Sequence, residues 1–289
     1  MRMADPYFFV FELLMLFTFA LCLRHAVRAG IAAALQLGAG ILFGVLLELA
    51  TIRQLNAYHY GQFTLMVLDV PLVIGVAWGC MIYSVRGFTN ATSLPEWARP
   101  VLDALLVLNI DLAIDAVAIR LGMWDWGHGL EWQYLGVPYA NFWAWFWVVF
   151  SFSAGLRVLV QRPGWIGKYL APLGAMCIGL GGVLLTNAFI AFWLPRELYE
   201  ITIAVVLVGA LILILALRPR LMRAPDSLMA QVSFISHGYF LAAGLISTVI
   251  LQPPFLLVVS IVMFAISLYV YHGKRLWRAS QIAPNQERA

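Results

Sequence analysis

The composition of the 289-residue chain excludes a soluble fold for most of its length. Hydrophobic residues make up 63% and charged residues 11%, and the mean hydropathy is +0.89. Because a soluble domain carries roughly 25% charged residues, lipid must surround much of this chain. The net charge of +4 does not indicate a nucleic-acid partner, since the lysines and arginines are dispersed between apolar runs.

Nine apolar runs are long enough to be membrane spans, which need about 20 mostly apolar residues. We therefore predict an all-α, polytopic integral membrane helical bundle of seven to nine transmembrane helices, with nine preferred. The number of transmembrane helices would be smaller than nine mainly if two of the later runs form a single span. The predicted spans are residues 7–23, 31–50, 62–85, 100–120, 138–158, 169–193, 199–217, 232–251 and 254–272.

The basic residues predict the orientation of this bundle. Of the 18 lysines and arginines, fourteen flank the spans on the side opposite to the N-terminus. Since cytoplasmic loops carry the excess of Lys and Arg, we predict that the N-terminus lies outside and the C-terminus inside. Residues 1–273 form one transmembrane domain in this interpretation, and residues 274–289 form a basic cytoplasmic tail. The four cations on the N-terminal side are Arg2, Arg53, Arg120 and Arg196.

Acidic residues inside the apolar runs are the strongest indication of a functional site. An ionisable group at membrane depth is costly and therefore suggests function. In the predicted topology five such acids lie toward the N-terminal side, whereas a random distribution would place some of them on each side. Asp69 is expected in the first third of the third span. The five acids are Glu12, Glu48, Asp69, Asp111 and Asp115, and Asn141 and Asn187 lie at the same level.

Asp111 and Asp115 are four residues apart, so both project from one face of the fourth predicted helix, roughly 6 Å from each other. Two carboxyl groups so close in a low dielectric cannot both ionise readily, and one is expected to hold a proton. An acid beside a carboxylate suits general acid–base catalysis. The alternative is a structural pair satisfied by Tyr, Trp or Arg neighbours. Glu48 is the third candidate catalytic carboxylate.

Aromatic residues are abundant in the segments that join the spans on the N-terminal side. Tyr58 and Tyr60 precede the third span, and Trp124 and Trp126 follow the fourth. An interfacial aromatic belt explains such residues in general. Their faces are also suited to lining a hydrocarbon channel or stabilising a carbocation. Tyr58 and Tyr60 are the best candidates for such a role, because they follow Glu48 closely in the chain.

Several classes of protein are excluded by missing residues. The only lysines, Lys168 and Lys274, lie at the ends of spans, so no lysine is available for a retinal Schiff base. The five histidines lack the repeated spacing of di-iron desaturases, and His237 is interpreted as structural. The three cysteines lie within apolar runs and are interpreted as packing residues.

Three blocks of sequence resemble a known family. The first block contains Leu47 and Glu48, residues 57–61, residues 69–72, Ala77, Trp78 and Tyr83. The second block contains residues 111–115 and 122–126. The third block contains residues 134–142, Trp145 and Phe146. Their order and spacing resemble the membrane-bound carotenoid 1,2-hydratases, which include bisanhydrobacterioruberin hydratase-like proteins.

The resemblance covers about residues 40–160. Ala116 stands where the family usually has proline, and Tyr139 and Ala140 stand where it usually has leucine and serine. A divergent member of the family is therefore expected.

The resemblance implies a hydro-lyase that adds water across the terminal C1–C2 double bond of an acyclic ψ-end group. A carboxylic acid, Asp111 or Asp115, would protonate C2, and water would capture the tertiary cation at C1. The partner carboxylate would orient or deprotonate the water, with Glu48 and Tyr60 completing the site and Asn141 holding the water. The implied substrate-binding residues are Tyr58, Tyr60, Asp69, Trp78, Trp124, Trp126, Asn141 and Trp145.

The resemblance implies no metal and no redox cofactor. The partners that it implies are a lipophilic carotenoid or isoprenoid substrate, the lipid bilayer and other enzymes of the carotenoid pathway. The expected location is the plasma membrane of a bacterium or archaeon.

Two other functions remain open at this point. Asn109, Asp111 and Asp115 faintly resemble the first aspartate-rich motif of intramembrane prenyltransferases, although a second motif is missing and few cations lie on the N-terminal side. Acids gathered on one side also suit a transporter or proton-coupled carrier, although no inverted repeat supports one.

Overall fold

A computed structural model describes residues 5–272, in which nine α-helices make up most of the chain. The all-α class and the preferred number of nine helices are confirmed for these residues, and the predicted tail 274–289 lies outside them. The helices are α1 (Pro6–Ala29), α2 (Ile31–Leu55), α3 (Leu72–Thr89), α4 (Arg99–Arg120), α5 (Tyr139–Val160), α6 (Ala171–Ala188), α7 (Arg196–Leu217), α8 (Leu228–Ile246) and α9 (Pro254–His272).

Helix α4 lies at the centre of the bundle and differs from the other eight. Those eight are long and apolar enough to cross a membrane, with α6 extended at both ends by π-helical turns, so this is a multi-pass membrane protein. Helix α4 carries Asp103, Asp111 and Asp115 and packs against α3, α5, α8 and α9. The charged helix is thereby shielded from lipid by apolar ones.

Helices α2 and α3 approach closely because each carries two glycines one turn apart. A Cβ atom on Gly40 would lie 3.1 Å from Cα of Gly79, and one on Gly44 would lie 3.0 Å from Cα of Gly75. Small residues at this spacing let helix backbones pack tightly in membranes. The close approach brings Trp78 of α3 directly against α2.

Two pairs of very short strands occupy the N-terminal side of the bundle. Strands β2 (Met66–Val67) and β3 (Val70–Pro71) form a tight hairpin just before α3. Strands β1 (His59–Tyr60) and β4 (Trp124–Asp125) pair antiparallel across the ends of α2 and α4. The second pair joins two segments that both belong to the N-terminal side in the predicted topology.

The third helix begins at Leu72, ten residues later than predicted. Pro71 precedes it, and the residue before a proline is disfavoured in the helical region. The prediction that Asp69 lies inside this helix is therefore wrong. Asp69 is exposed in the hairpin, where Arg53 Nη2 donates to its Oδ2 at 2.6 Å.

Another buried acid, Asp103, lies at the opposite end of α4 from Asp111 and Asp115. Its Oδ1 accepts from Thr89 at 2.6 Å, and its Oδ2 accepts from Ser153 at 2.5 Å and from Arg157 at 2.9 Å. The buried carboxylate is therefore paired and fully hydrogen-bonded. We interpret this cluster as a structural link between α3, α4 and α5.

Candidate active site

A cavity of about 970 Å³ opens where α2 and α4 end on the N-terminal side. Its volume lies near the upper end of the roughly 300–1,000 Å³ usual for small-molecule sites. Residues from eight of the nine helices and from β1 and β4 contribute to its wall. The predicted site residues that line it are Glu48, Tyr58, Tyr60, Trp78, Asp115, Trp124, Trp126, Asn141 and Trp145.

Asn141 joins the two predicted carboxylates of α4. Pro138 caps α5, so Asn141 falls in the first turn of that helix and faces α4. Its Nδ2 donates to Asp115 Oδ2 at 2.7 Å and to Asp111 Oδ2 at 3.0 Å. All three side chains are buried. Because an amide carries two hydrogens on this nitrogen, one group can serve both carboxyls.

The two carboxyls of this pair have different access to the cavity. Asp115 lines its wall, whereas Asp111 lies behind Asp115 and does not belong to the lining. Of the two acids, Asp115 is therefore the one that can reach a molecule in the cavity.

Glu48 is held by three donors, all of which were among the predicted site residues. Its Oε2 accepts from the hydroxyls of Tyr58 and Tyr60, the second at 2.8 Å, and its Oε1 accepts from Trp78 Nε1 at 2.7 Å. Since every partner donates, the arrangement suits an ionised carboxylate.

The two tyrosines of this cluster remain protonated donors over the physiological pH range. Tyr58 and Tyr60 lie outside the membrane-spanning helices. Burial, and next the nearby charge of Glu48, raises the pKa of both phenols well above the ordinary value. Their hydroxyls therefore stay available to Glu48.

Aromatic rings form much of the remaining wall. The ring centroids of Tyr58 and Trp126 lie 4.7 Å apart, and those of Trp78 and Trp145 lie 4.4 Å apart. The pairing of β1 with β4 places Tyr60 opposite Trp124. These faces offer a hydrocarbon-like surface whose electron density can stabilise a cation.

Two of the sequence-predicted residues have other positions. Asp69 lies in the exposed hairpin and does not line this cavity. Glu12 binds the backbone N–H of Thr64 at 2.7 Å together with its hydroxyl, so it anchors the segment before α3. Neither residue lies beside the α4 pair.

Asn187 of α6 lines the cavity, although no role was assigned to it from the sequence. It lies in the wall with its Nδ2 buried and, among the described residues, without a hydrogen-bond partner. The sequence indicated the depth of Asn187 in the bundle, but not that its side chain points into the cavity. An unsatisfied buried amide is costly, which marks Asn187 as a candidate contact for a polar group of a ligand or for water.

Asn109 does not join the aspartates of the faint prenyltransferase motif. Its Oδ1 accepts from Ser267 at 3.1 Å and lies 3.3 Å from His237 Nε2, so it faces α8 and α9. The three polar residues of that motif therefore do not converge on one point, as a shared cation would require. His237 itself does not line the cavity.

The fold and the site define a multi-pass helical membrane protein that encloses buried carboxyls in a large aromatic cavity. Residues 5–216 match the family model described as carotenoid biosynthesis protein, and the chain belongs to that family. Its role is therefore in carotenoid biosynthesis, as an enzyme of the pathway. No curated protein and no solved structure matches the chain. The matched region runs from α1 into α7, and α8 and α9 follow it.

Proposed function

We propose that this enzyme is a carotenoid hydratase that adds water across the C1–C2 double bond of an acyclic ψ-end group. The observation that carries the proposal is the access of Asp115, coupled to Asp111 through Asn141, to a large aromatic cavity. Family membership favours a polyene substrate. The buried carboxyls can carry out the proton transfers that hydration of an isolated alkene requires.

In the proposed first step, Asp115 in its protonated form donates its proton to C2. The π electrons of the C1–C2 bond form the new C–H bond, which leaves a tertiary cation at C1. The carboxylate left on Asp115 and the faces of Trp124 and Trp126 then surround this cation. Charge and ring faces placed where positive charge develops lower the barrier.

In the proposed second step, a water oxygen attacks C1 and its surplus proton passes to Glu48. The carboxylate of Glu48 suits this role because Tyr58, Tyr60 and Trp78 hold it in place against the same cavity. Return of the proton from Glu48 to Asp115 through cavity water restores the enzyme. The net change is the addition of one water molecule, with no oxidation or reduction.

The substrate assignment is tested by expression in a host that makes lycopene or another ψ-ended carotenoid. We expect a product heavier than the substrate by one water molecule, bearing a tertiary hydroxyl at C1, by liquid chromatography and mass spectrometry. Cells with the empty vector are the control. The absence of a hydrated product from several acyclic carotenoids would contradict the proposal.

Replacement of Glu48 by Gln is expected to lower the hydration rate by about tenfold or more, since a proton acceptor contributes roughly 10²–10⁴-fold. Glutamine also has only one acceptor oxygen, so one of the three donors would oppose its NH₂ group. Product formation in membranes measures the rate. The matched control is Glu197→Gln, an exposed acid in the first turn of α7 that does not line the cavity. Unchanged product formation by Glu48→Gln would remove Glu48 from the proton path.

A further inference from the structure

A second cavity of about 600 Å³ adjoins the first on the N-terminal side. The two cavities share a stretch of wall, namely the segment from the end of α2 through β1. This shared wall consists of Asn56, Tyr58, His59 and Tyr60. The cavities are therefore separated by one short segment of chain that ends in β1.

The second cavity differs from the first in polarity. Arg53, Gln62 and Asp69 contribute to its wall, and all three are exposed. Arg53 and Asp69 form an ion pair at 2.6 Å, with 69% and 56% of their side chains exposed. An exposed ion pair of this kind faces water, so we take the second cavity to be aqueous.

The shared wall has two chemically different faces. Side chains alternate along an extended segment, and here the hydroxyls of Tyr58 and Tyr60 bind Glu48, while His59 between them is exposed. Both tyrosines also line the aqueous cavity. The wall thus places hydroxyl groups between water and the buried carboxylate.

Hydration brings together two reactants from different phases. A polyene reaches the aromatic cavity from the lipid, but the hydrocarbon region supplies neither the water that is consumed nor a route for proton exchange. We propose that the second cavity is the antechamber through which water enters the reaction cavity, past Tyr58 and Tyr60 to Glu48. This inference rests on the proposed hydratase function, and it places Asp69 at the water entrance.

The inference is tested by reversible blockage of the shared wall in nanodiscs. His59→Cys is made in a Cys177→Ser background, because Cys177 is the exposed native cysteine while Cys22 and Cys80 are buried. Modification by a charged methanethiosulfonate is expected to lower the hydration rate at least tenfold, and dithiothreitol is expected to restore it. Carotenoid binding, followed by quenching of tryptophan fluorescence, should stay unchanged.

Leu65→Cys in the same background is the matched control, because Leu65 is exposed on the neighbouring segment but lines neither cavity. Its modification should leave hydration unaffected. An unchanged rate in modified His59→Cys, or a loss of carotenoid binding along with the rate, would overturn the antechamber while the hydratase function stands. The absence of hydration by the untreated wild-type protein would instead overturn the function itself, and the inference with it.

Discussion

Replacement of Asp115 by Asn is expected to lower the hydration rate by at least about 100-fold, within the range of 10²–10⁴ for loss of a general acid. Asparagine retains the shape of the side chain but has no acidic proton to give to C2. The amide should still fill the same wall of the cavity, so carotenoid binding is expected to persist. Single-turnover formation of the hydrated carotenoid measures the rate, and quenching of tryptophan fluorescence measures binding.

The matched control is Asp226→Asn, which makes the same change at an exposed residue that does not line the cavity. Asp111→Asn should reduce the rate less than Asp115→Asn, because Asp111 acts only through Asn141 and its neighbour. Equal activity of Asp115→Asn and the wild-type protein would refute the proposed proton donor. A larger effect at Asp111 would exchange the roles of the two acids.

The second large effect is expected on stability. Replacement of Asp103 by Leu leaves the guanidinium of Arg157, which is buried, without its carboxylate. Removal of one partner of a buried ion pair costs about 3–5 kcal/mol, because the other charge stays buried and unpaired. The free energy of unfolding, measured by titration with sodium dodecyl sulfate in mixed micelles, should fall by that amount.

Two further variants separate this effect from a general loss of packing. The double variant Asp103→Leu with Arg157→Met removes both charges and should recover most of the stability, since apolar replacement of a buried pair is often neutral. Asp69→Leu breaks the exposed ion pair with Arg53 and should cost about 1 kcal/mol or less. A double variant as unstable as Asp103→Leu would show that the ion pair is not the cause.

The class of fold could be predicted from the sequence because spanning helices depend on local composition. Each apolar run must satisfy its own backbone hydrogen bonds in lipid, so its length alone indicates a helix. The same local logic correctly placed Asp111 and Asp115 on one face of α4, because helical spacing determines which residues are neighbours. The start of α3 was predicted wrongly from hydropathy, because the hairpin of β2 and β3 and Pro71 delay the helix until Leu72.

The candidate site was only partly evident from the sequence. The depth of the site residues in the bundle could be predicted from the topology, as it was for Glu48 and Asn141. The partners of these residues could not be predicted, because Tyr58 and Trp78 reach Glu48 through a bend of the chain and through the glycine contact of α2 with α3. Asp103 already lay within the fourth predicted span, but its pairing with Arg157 could not be predicted, since Arg157 lies on another helix.

By itself the sequence determined that this is an all-α membrane protein with buried acids, and its motifs already resembled a carotenoid enzyme family. These properties depend on composition and on residues close together in the chain. Only the tertiary structure decided that Asp115 faces a cavity, that Asp111 lies behind it and that Asp69 is exposed in the hairpin before α3. The physical reason is that a helix determines which residues share a face, whereas packing against other helices determines what that face meets.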